Sequence, residues 1–272
     1  MRSAWLLLMV TLVLLSNSTA NYVIYLGDSW NEELLARFDV VILKPIWNMS
    51  LVSSLKQRGC KVIAYADLSH LDLDGISQYL KHIIREHYDG ILIYDDNMRY
   101  LQAISIIQEL QAEPMLIGVM VRSRDYPPDV IEEVIPHLDF VLIDEFGSFY
   151  DPSKKGYFMF DEDEMNRLIR FAESIKEMAL KYNISVLILA YADPRSPQLF
   201  HEYMSRVNGL ATMYGFISYL TNANKTFINL YYARKAEGVA TTLYLAIVIV
   251  IIVLVEIIFK LRIAGLRRSR GP

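Results

Sequence analysis

Short apolar runs rich in Val, Ile, Leu and Tyr alternate along this chain with longer stretches in which apolar positions recur every third or fourth residue. The short runs predict strands over 22–26, 40–43, 61–65, 90–94, 115–121, 140–143, 186–190 and 211–218, and the longer stretches predict helices over 74–87, 100–111 and 162–182. Connectors 29–37 and 49–58 are shorter. Most of the strand segments are continuously apolar rather than alternating, the pattern of strands covered on both faces in a parallel sheet. Eight such strands alternating with helices predict an α/β fold, a closed (β/α)8 TIM barrel. An open doubly wound sheet is the competitor, but Leu26-Gly27-Asp28 after the first strand lacks the glycine-rich phosphate turn that fold more often carries. The segment 146–160, with Gly147, Pro152, Lys154, Lys155, Gly156 and several aromatics, reads as one long irregular region, and its rings predict an ordered wall or lid over a cleft. No repeat is evident beyond the strand–helix rhythm.

The two ends have a different pattern. Met1-Arg2, an apolar run from Trp5 to Leu15 and the small polar stretch to Ala20 read as a secretory signal peptide over 1–20, cleaved after Ala20. Residues 239–259 are apolar except for Thr241, Thr242 and Glu256, and a run of about 20 such residues suits a single transmembrane helix. Lys260, Arg262, Arg267, Arg268 and Arg270 follow, marking 260–272 as a cytoplasmic tail. The expectation is a single-pass cell-membrane protein whose barrel, 21–238, lies outside the cytoplasm. Sequons at Asn17, Asn48, Asn183 and Asn224 agree weakly with that location. Cys60 is the only cysteine, so no intramolecular disulfide and no Cys-ligated metal site is expected. The net charge of −4 includes the basic tail, which leaves the barrel more acidic still and argues against a nucleic-acid partner.

In a βα barrel the chemistry sits at the C-terminal ends of the strands. Those ends carry Asp67, the run Tyr94-Asp95-Asp96-Asn97, the pair Asp144-Glu145, and Tyr191-Ala192-Asp193. Two carboxyl groups flanking a glycosidic bond suffice for its hydrolysis, one protonating the leaving oxygen and the other attacking or activating water. Rings at the same level, including Trp47, Tyr65, Tyr94, Phe146, Tyr150, Tyr191 and Tyr219, offer flat faces on which sugars stack. Any one of these acids has the competing role of capping the next helix. Successive strand side chains also point to opposite faces, so only one of Asp95/Asp96 and one of Asp144/Glu145 is expected in the barrel mouth. The candidate catalytic set is Asp95, Glu145 and Asp193. Tyr25, Lys44, Trp47, Tyr65, Asp67, Tyr94, Asp96, Asp144, Tyr191 and Tyr219 are the candidate substrate contacts, with Lys44 alternatively paired to Asp67. His70, His82, His87, His137 and His201 form no zinc spacing, so no metal or other cofactor is predicted. A Gly-x-Ser-x-Gly elbow is absent too.

These segments resemble glycoside hydrolase family 114, the endo-α-1,4-polygalactosaminidase-like barrels. The likeness runs through Phe38-Asp39-Val40-Val41-Ile42, Gly59-Cys60-Lys61-Val62-Ile63-Ala64-Tyr65, Tyr88-Asp89-Gly90-Ile91-Leu92-Ile93, Phe140-Val141-Leu142-Ile143-Asp144-Glu145 and Val186-Leu187-Ile188-Leu189-Ala190-Tyr191-Ala192. It implies an eight-fold barrel acting on galactosamine-type or related polysaccharide, with acids from strands four and six as the leading pair. The chain departs from the family pattern at Lys44, His70, Tyr94 and Ala190, whereas Glu145 falls on the expected acid. Three readings follow: a tethered glycosidase, a non-catalytic barrel that binds surface glycan, and a structural subunit of an envelope complex.

Overall fold

The computed structural model describes residues 21–45, 49–110, 114–122, 128–229 and 231–232. The predicted leader, transmembrane span and tail, and Trp47, lie outside these residues. Among the described residues no helix is long and apolar enough to cross a membrane.

Ala20–Leu230 forms one compact unit built on an eight-stranded parallel sheet. Its strands are β1 (Tyr22–Tyr25), β2 (Val40–Leu43), β3 (Lys61–Asp67), β4 (Gly90–Tyr94), β5 (Leu116–Arg122), β6 (Phe140–Asp144), β9 (Ser185–Tyr191) and β10 (Ile217–Thr221), side by side in chain order. The two edges, β1 and β10, approach each other, so the sheet curls into a nearly closed barrel. Between the strands run α1 (Glu32–Leu35), α2 (Met49–Gln57), α3 (Leu73–Arg85), α4 (Tyr100–Leu110), α5 (Pro128–Val134), α6 (Glu162–Tyr182) and α7 (Pro197–Tyr214). Every position of β1, β4 and β6 is buried, as expected of strands with side chains on one face and helices on the other.

Continuous apolar strands leave register underdetermined, because a slip exchanges one apolar row for another. An aspartate before each of β2, β4 and β6 removes that freedom. Asp89, preceding β4, donates its N–H to the Val62 carbonyl (2.8 Å) and accepts the Val62 N–H on its carboxylate (2.8 Å). Asp139, preceding β6, grips Ile117 in the same two ways, at 2.8 Å each. Asp39, preceding β2, accepts from the Asn21 N–H and donates to the Asn21 side chain. Each aspartate then offers its own carbonyl to the next strand, at Lys61, Leu116 and Ser185. As far as β6 the rhythm therefore carries a two-strand repeat that the sequence reading did not detect.

Two predicted elements differ from the structure. Residues 211–214 end α7 rather than begin a strand; the helix stops where Gly215 adopts φ 74°, and β10 follows two residues later. The region 146–160 is not irregular but contains an antiparallel hairpin, β7 (Ser148–Asp151) and β8 (Gly156–Met159), with Tyr150 against Tyr157 and Phe149 against Phe158. Ser148 fixes it to the barrel, its Oγ donating to the Tyr191 carbonyl (2.8 Å) and accepting the Tyr191 N–H (3.0 Å). The hairpin is thus an ordered wall.

The clasps make a prediction. Asp89→Ala strands the Val62 N–H and frees Lys56, whose ammonium lies 2.8 Å from Asp89; the expected cost is about 1–3 kcal/mol. Asp89→Asn, which keeps an acceptor, should retain most of that stability. Thermal melts of the two variants check this, and equal melting temperatures would reject the clasp.

Candidate functional site

Register carries the floor geometry to the opposite rim. There Asp67 stands level with Tyr94, Arg122 with Asp144, and Thr221 with Tyr191. Tyr65 stacks on Tyr94 at 6.3 Å, and the Arg122 guanidinium lies over the Tyr94 ring at 5.2 Å. Tyr94 donates its hydroxyl proton to Asp96 at 2.5 Å, and Arg122 reaches the same oxygen at 3.8 Å. Across from them Asp144 is only 4% exposed and accepts from the Tyr191 hydroxyl (2.5 Å) and from the Glu145 N–H (3.0 Å).

Glu145 breaks the alternation that would turn it away from Asp144. Its backbone is left-handed, φ 56°, a conformation that costs a non-glycine residue about 1–3 kcal/mol and tends to mark functional sites. Both acids consequently lie within electrostatic reach of Arg122 and Tyr191, where the sequence predicted only one in the mouth. Burial, then Asp144, pushes the Tyr191 phenol well above its ordinary range; burial likewise raises Tyr65, with Asp67 adding to it, and Tyr94, with the Asp96 hydrogen bond adding to it. The three phenols are proton donors throughout the physiological range. Burial works against the Arg122 charge, but Tyr94, Asp144, Asp96 and Glu145 around it outweigh that and raise its pKa.

Arg122 is the residue that the sequence reading missed. Its signal was a cation closing an apolar run, and the predicted strand stopped one residue short of it.

The other predicted acids have different roles. Asp95 is 0% exposed and lies in a two-pronged ion pair with Arg99, whose Nε and Nη2 each stand 2.9 Å from a carboxylate oxygen. The Arg99 and Asn97 N–H groups bond to it as well, so Asp95 holds together the turn that leads into α4. Arg99 further donates to the Leu71 and Leu68 carbonyls, tying this turn to the loop after β3. Asp193 is gripped by Arg195, Nε and Nη2 both at 3.0 Å, in an exposed turn before α7. Each of these carboxylates is held by an arginine in this arrangement.

Among the predicted contacts, Tyr65, Asp67, Tyr94, Asp96, Asp144 and Tyr191 gather at the rim. Tyr25 does not join them, since its hydroxyl donates to the Ser29 carbonyl of its own loop. Lys44 pairs with Asp28 at 3.3 Å, not with Asp67. Tyr219 is 0% exposed, packed on Tyr22 and Phe38 and bonded to the chain at Phe227 and Asn229, so it is core. Among the described residues no group of three or more His, Cys, Asp or Glu is arranged to hold a metal ion.

No family model and no curated protein sequence matches this chain. Its fold is similar to the solved glycoside hydrolase domain of PelA from Pseudomonas aeruginosa, with a TM-score of 0.61 at 12% identity over 76% of this chain and 96% of that one. A variant of the same domain gives 0.61 at 11% over the same shares. Deoxyribose phosphate aldolase from Aeropyrum pernix gives 0.50 at 12% over 76% of this chain and 86% of that one. At these identities the likeness is one of fold: a barrel like that of a glycoside hydrolase domain, not family 114 in particular. The aldolase makes the same point, since one barrel hosts unrelated chemistries.

The two arginine pairs differ in consequence. Asp95→Ala leaves a largely buried guanidinium uncompensated and should cost about 3–5 kcal/mol, whereas Asp193→Ala, beside a mostly exposed Arg195, should barely move the melting temperature. Burial raises the Asp95 pKa, but the donors of Arg99 and Asn97 outweigh it and hold the carboxyl below its usual range. The pair's stabilisation is therefore complete at neutral pH and is lost as pH falls below about 4 and through the lowered value. Melting curves from pH 7 to pH 3 should show the gap between wild type and Asp95→Ala closing on acidification.

Proposed function

We propose that this chain is a glycosidase of the family 114 kind that cleaves an amino-sugar polysaccharide, galactosamine-containing chains among them, at the rim of its barrel. The carrying observation is Glu145: of the six non-glycine residues with positive φ among those described, it alone directly follows a barrel strand, next to the buried Asp144. His87, Met98, Lys155, Asn183 and Lys225 lie in turns and at helix ends, where left-handed backbone is routine.

In this reading Glu145 protonates the glycosidic oxygen. Asp96, from the strand-four side, supplies the second carboxylate, which attacks the anomeric carbon or takes a proton from the attacking water. Arg122 lies between the two and stabilises their charge, while Asp144, held by Tyr191, orients the turn that carries Glu145. Tyr65, half-buried at the rim and backed by Tyr94, supplies a face on which a sugar ring stacks. The acidic rim suits the ammonium groups of a deacetylated amino sugar. The leader, apolar segment and basic tail read from the sequence support a barrel tethered outside the cell, working on glycan within reach of its own membrane.

A second reading, glycan binding without cleavage, draws on one observation: Asp96 is already engaged by Tyr94 and Arg122. The structural-subunit reading gains no support from the barrel's exposed large apolar residues, Leu73, Leu101, Leu180, Leu199 and Met213, which are spread over four helices.

Full-length chain purified in detergent, incubated with amino-sugar polysaccharides, should release shortened chains. Glu145→Gln and Asp96→Asn should each slow this by about 10²–10⁴-fold. Undiminished turnover in Glu145→Gln rejects the assignment, and glycan binding without cleavage by any form selects the second reading.

A further inference from the structure

The turn after β10 carries a cation to the ring of Tyr191, at the C-terminal end of β9. Lys225 sits in it with φ 54°, half-buried, its N–H bonded to the Asn222 carbonyl at 2.9 Å. Three further attachments make the turn rigid. The Leu26 N–H, from the loop after β1, donates to the Lys225 carbonyl at 2.8 Å, across the seam where the barrel's two edges meet. The Ala223 N–H donates to the Tyr157 hydroxyl of the hairpin at 3.2 Å. The Asn222 side-chain oxygen accepts from Thr226 and Phe227, at 2.8 and 3.1 Å.

From this turn the Lys225 ammonium stands 5.1 Å from the centroid of the Tyr191 ring, the same ring whose hydroxyl holds Asp144. The other cations near the rim each face a carboxylate: Arg99 has Asp95, Arg195 has Asp193, Lys44 has Asp28 and Arg122 has Asp96. Among the described residues Lys225 has no such carboxylate partner; its neighbour is an aromatic face. A cation held over a ring by a fixed turn, beside a site for sugar, has the chemistry to receive an anion from solution. The opposite side of the mouth, at Asp67 and Asp96, has the opposite sign.

We propose that Lys225 is a substrate contact that pairs with the carboxylate of an acidic sugar, so that the glycan is a copolymer in which a uronic acid neighbours the hexosamine. The inference rests on the glycan reading above and narrows its substrate class. Hexosamine units lie toward Asp67, Asp96 and Glu145, and the uronate meets the Lys225 ammonium.

The test compares three probes on the full-length chain in detergent: a hyaluronan oligosaccharide, the same oligosaccharide with its carboxyls reduced to alcohols, and a chitosan oligosaccharide. Dissociation constants are measured for wild type, Lys225→Gln and Lys225→Arg, with melting temperatures alongside to separate contact from folding. Wild type should prefer the acidic oligosaccharide over its reduced form by about tenfold, the value of one charge-assisted contact. Lys225→Gln should lose that preference at an unchanged melting temperature, Lys225→Arg should keep it, and added salt should narrow it. Equal binding of the acidic and reduced forms by wild type, or an undiminished preference in Lys225→Gln, overturns the inference. Binding of chitosan alone also overturns it while leaving the glycan reading intact, and failure of all three probes with every form overturns it as well.

Discussion

At the floor of the barrel Asp39, Asp89 and Asp139 each grip the preceding strand and hand a carbonyl to the following one, and the rest of the molecule depends on that arrangement. Strands buried on both faces gain little from one register over another, because apolar side chains fill either row equally well. A clasp that uses both a carboxylate and a backbone N–H is different, since it is satisfied at a single offset and a slipped strand leaves its part-buried donors at Val62 and Ile117 unpaired. Because the strands are short, an offset set at the floor is still in force at the mouth. That is why Arg122 comes level with Asp144, and Asp67 with Tyr94.

Much of this was legible in the chain. Seven of the eight strand segments were visible as apolar runs, and α6 was read to its observed ends, Glu162–Tyr182, from apolar residues recurring every third or fourth position. The eighth strand was misread because Ala211, Met213 and Tyr214 are as apolar as a strand; only Gly215, a helix stop, separates them from β10. The hairpin went unseen for a related reason, its short strands being masked by the turn residues Pro152 to Gly156.

The site was readable in its types more than in its assignments. Tyr65, Tyr94, Tyr191, Asp144 and Glu145 stand at strand ends where a barrel keeps its chemistry. Alternation says only that neighbours diverge, not which of them faces inward, and Asp95 is the one that is buried. The deciding feature lay four residues on, where Arg99 at the start of α4 draws Asp95 into a buried pair and leaves Asp96 to the mouth. Glu145 escapes alternation altogether, because a left-handed residue reverses the direction of the chain and no side-chain pattern encodes that.

Ion pairing then sorts the charges of the rim. Arg99 neutralises Asp95 and Arg195 neutralises Asp193, so both arginines and both acids are spent on holding turns in place. What faces the mouth is the remainder: Asp67, Asp96, Asp144 and Glu145 around Arg122, with Lys225 above Tyr191 on the far side. Acids therefore outnumber cations there, and Arg122 lowers the cost of keeping several carboxylates close together. The same guanidinium stacks on Tyr94 and reaches Asp96, so its loss would loosen the strand-four side of the site and remove the shielding of Glu145 together. Under the proposed function, a rim charged in this way would select a ligand by the sign and spacing of its charge.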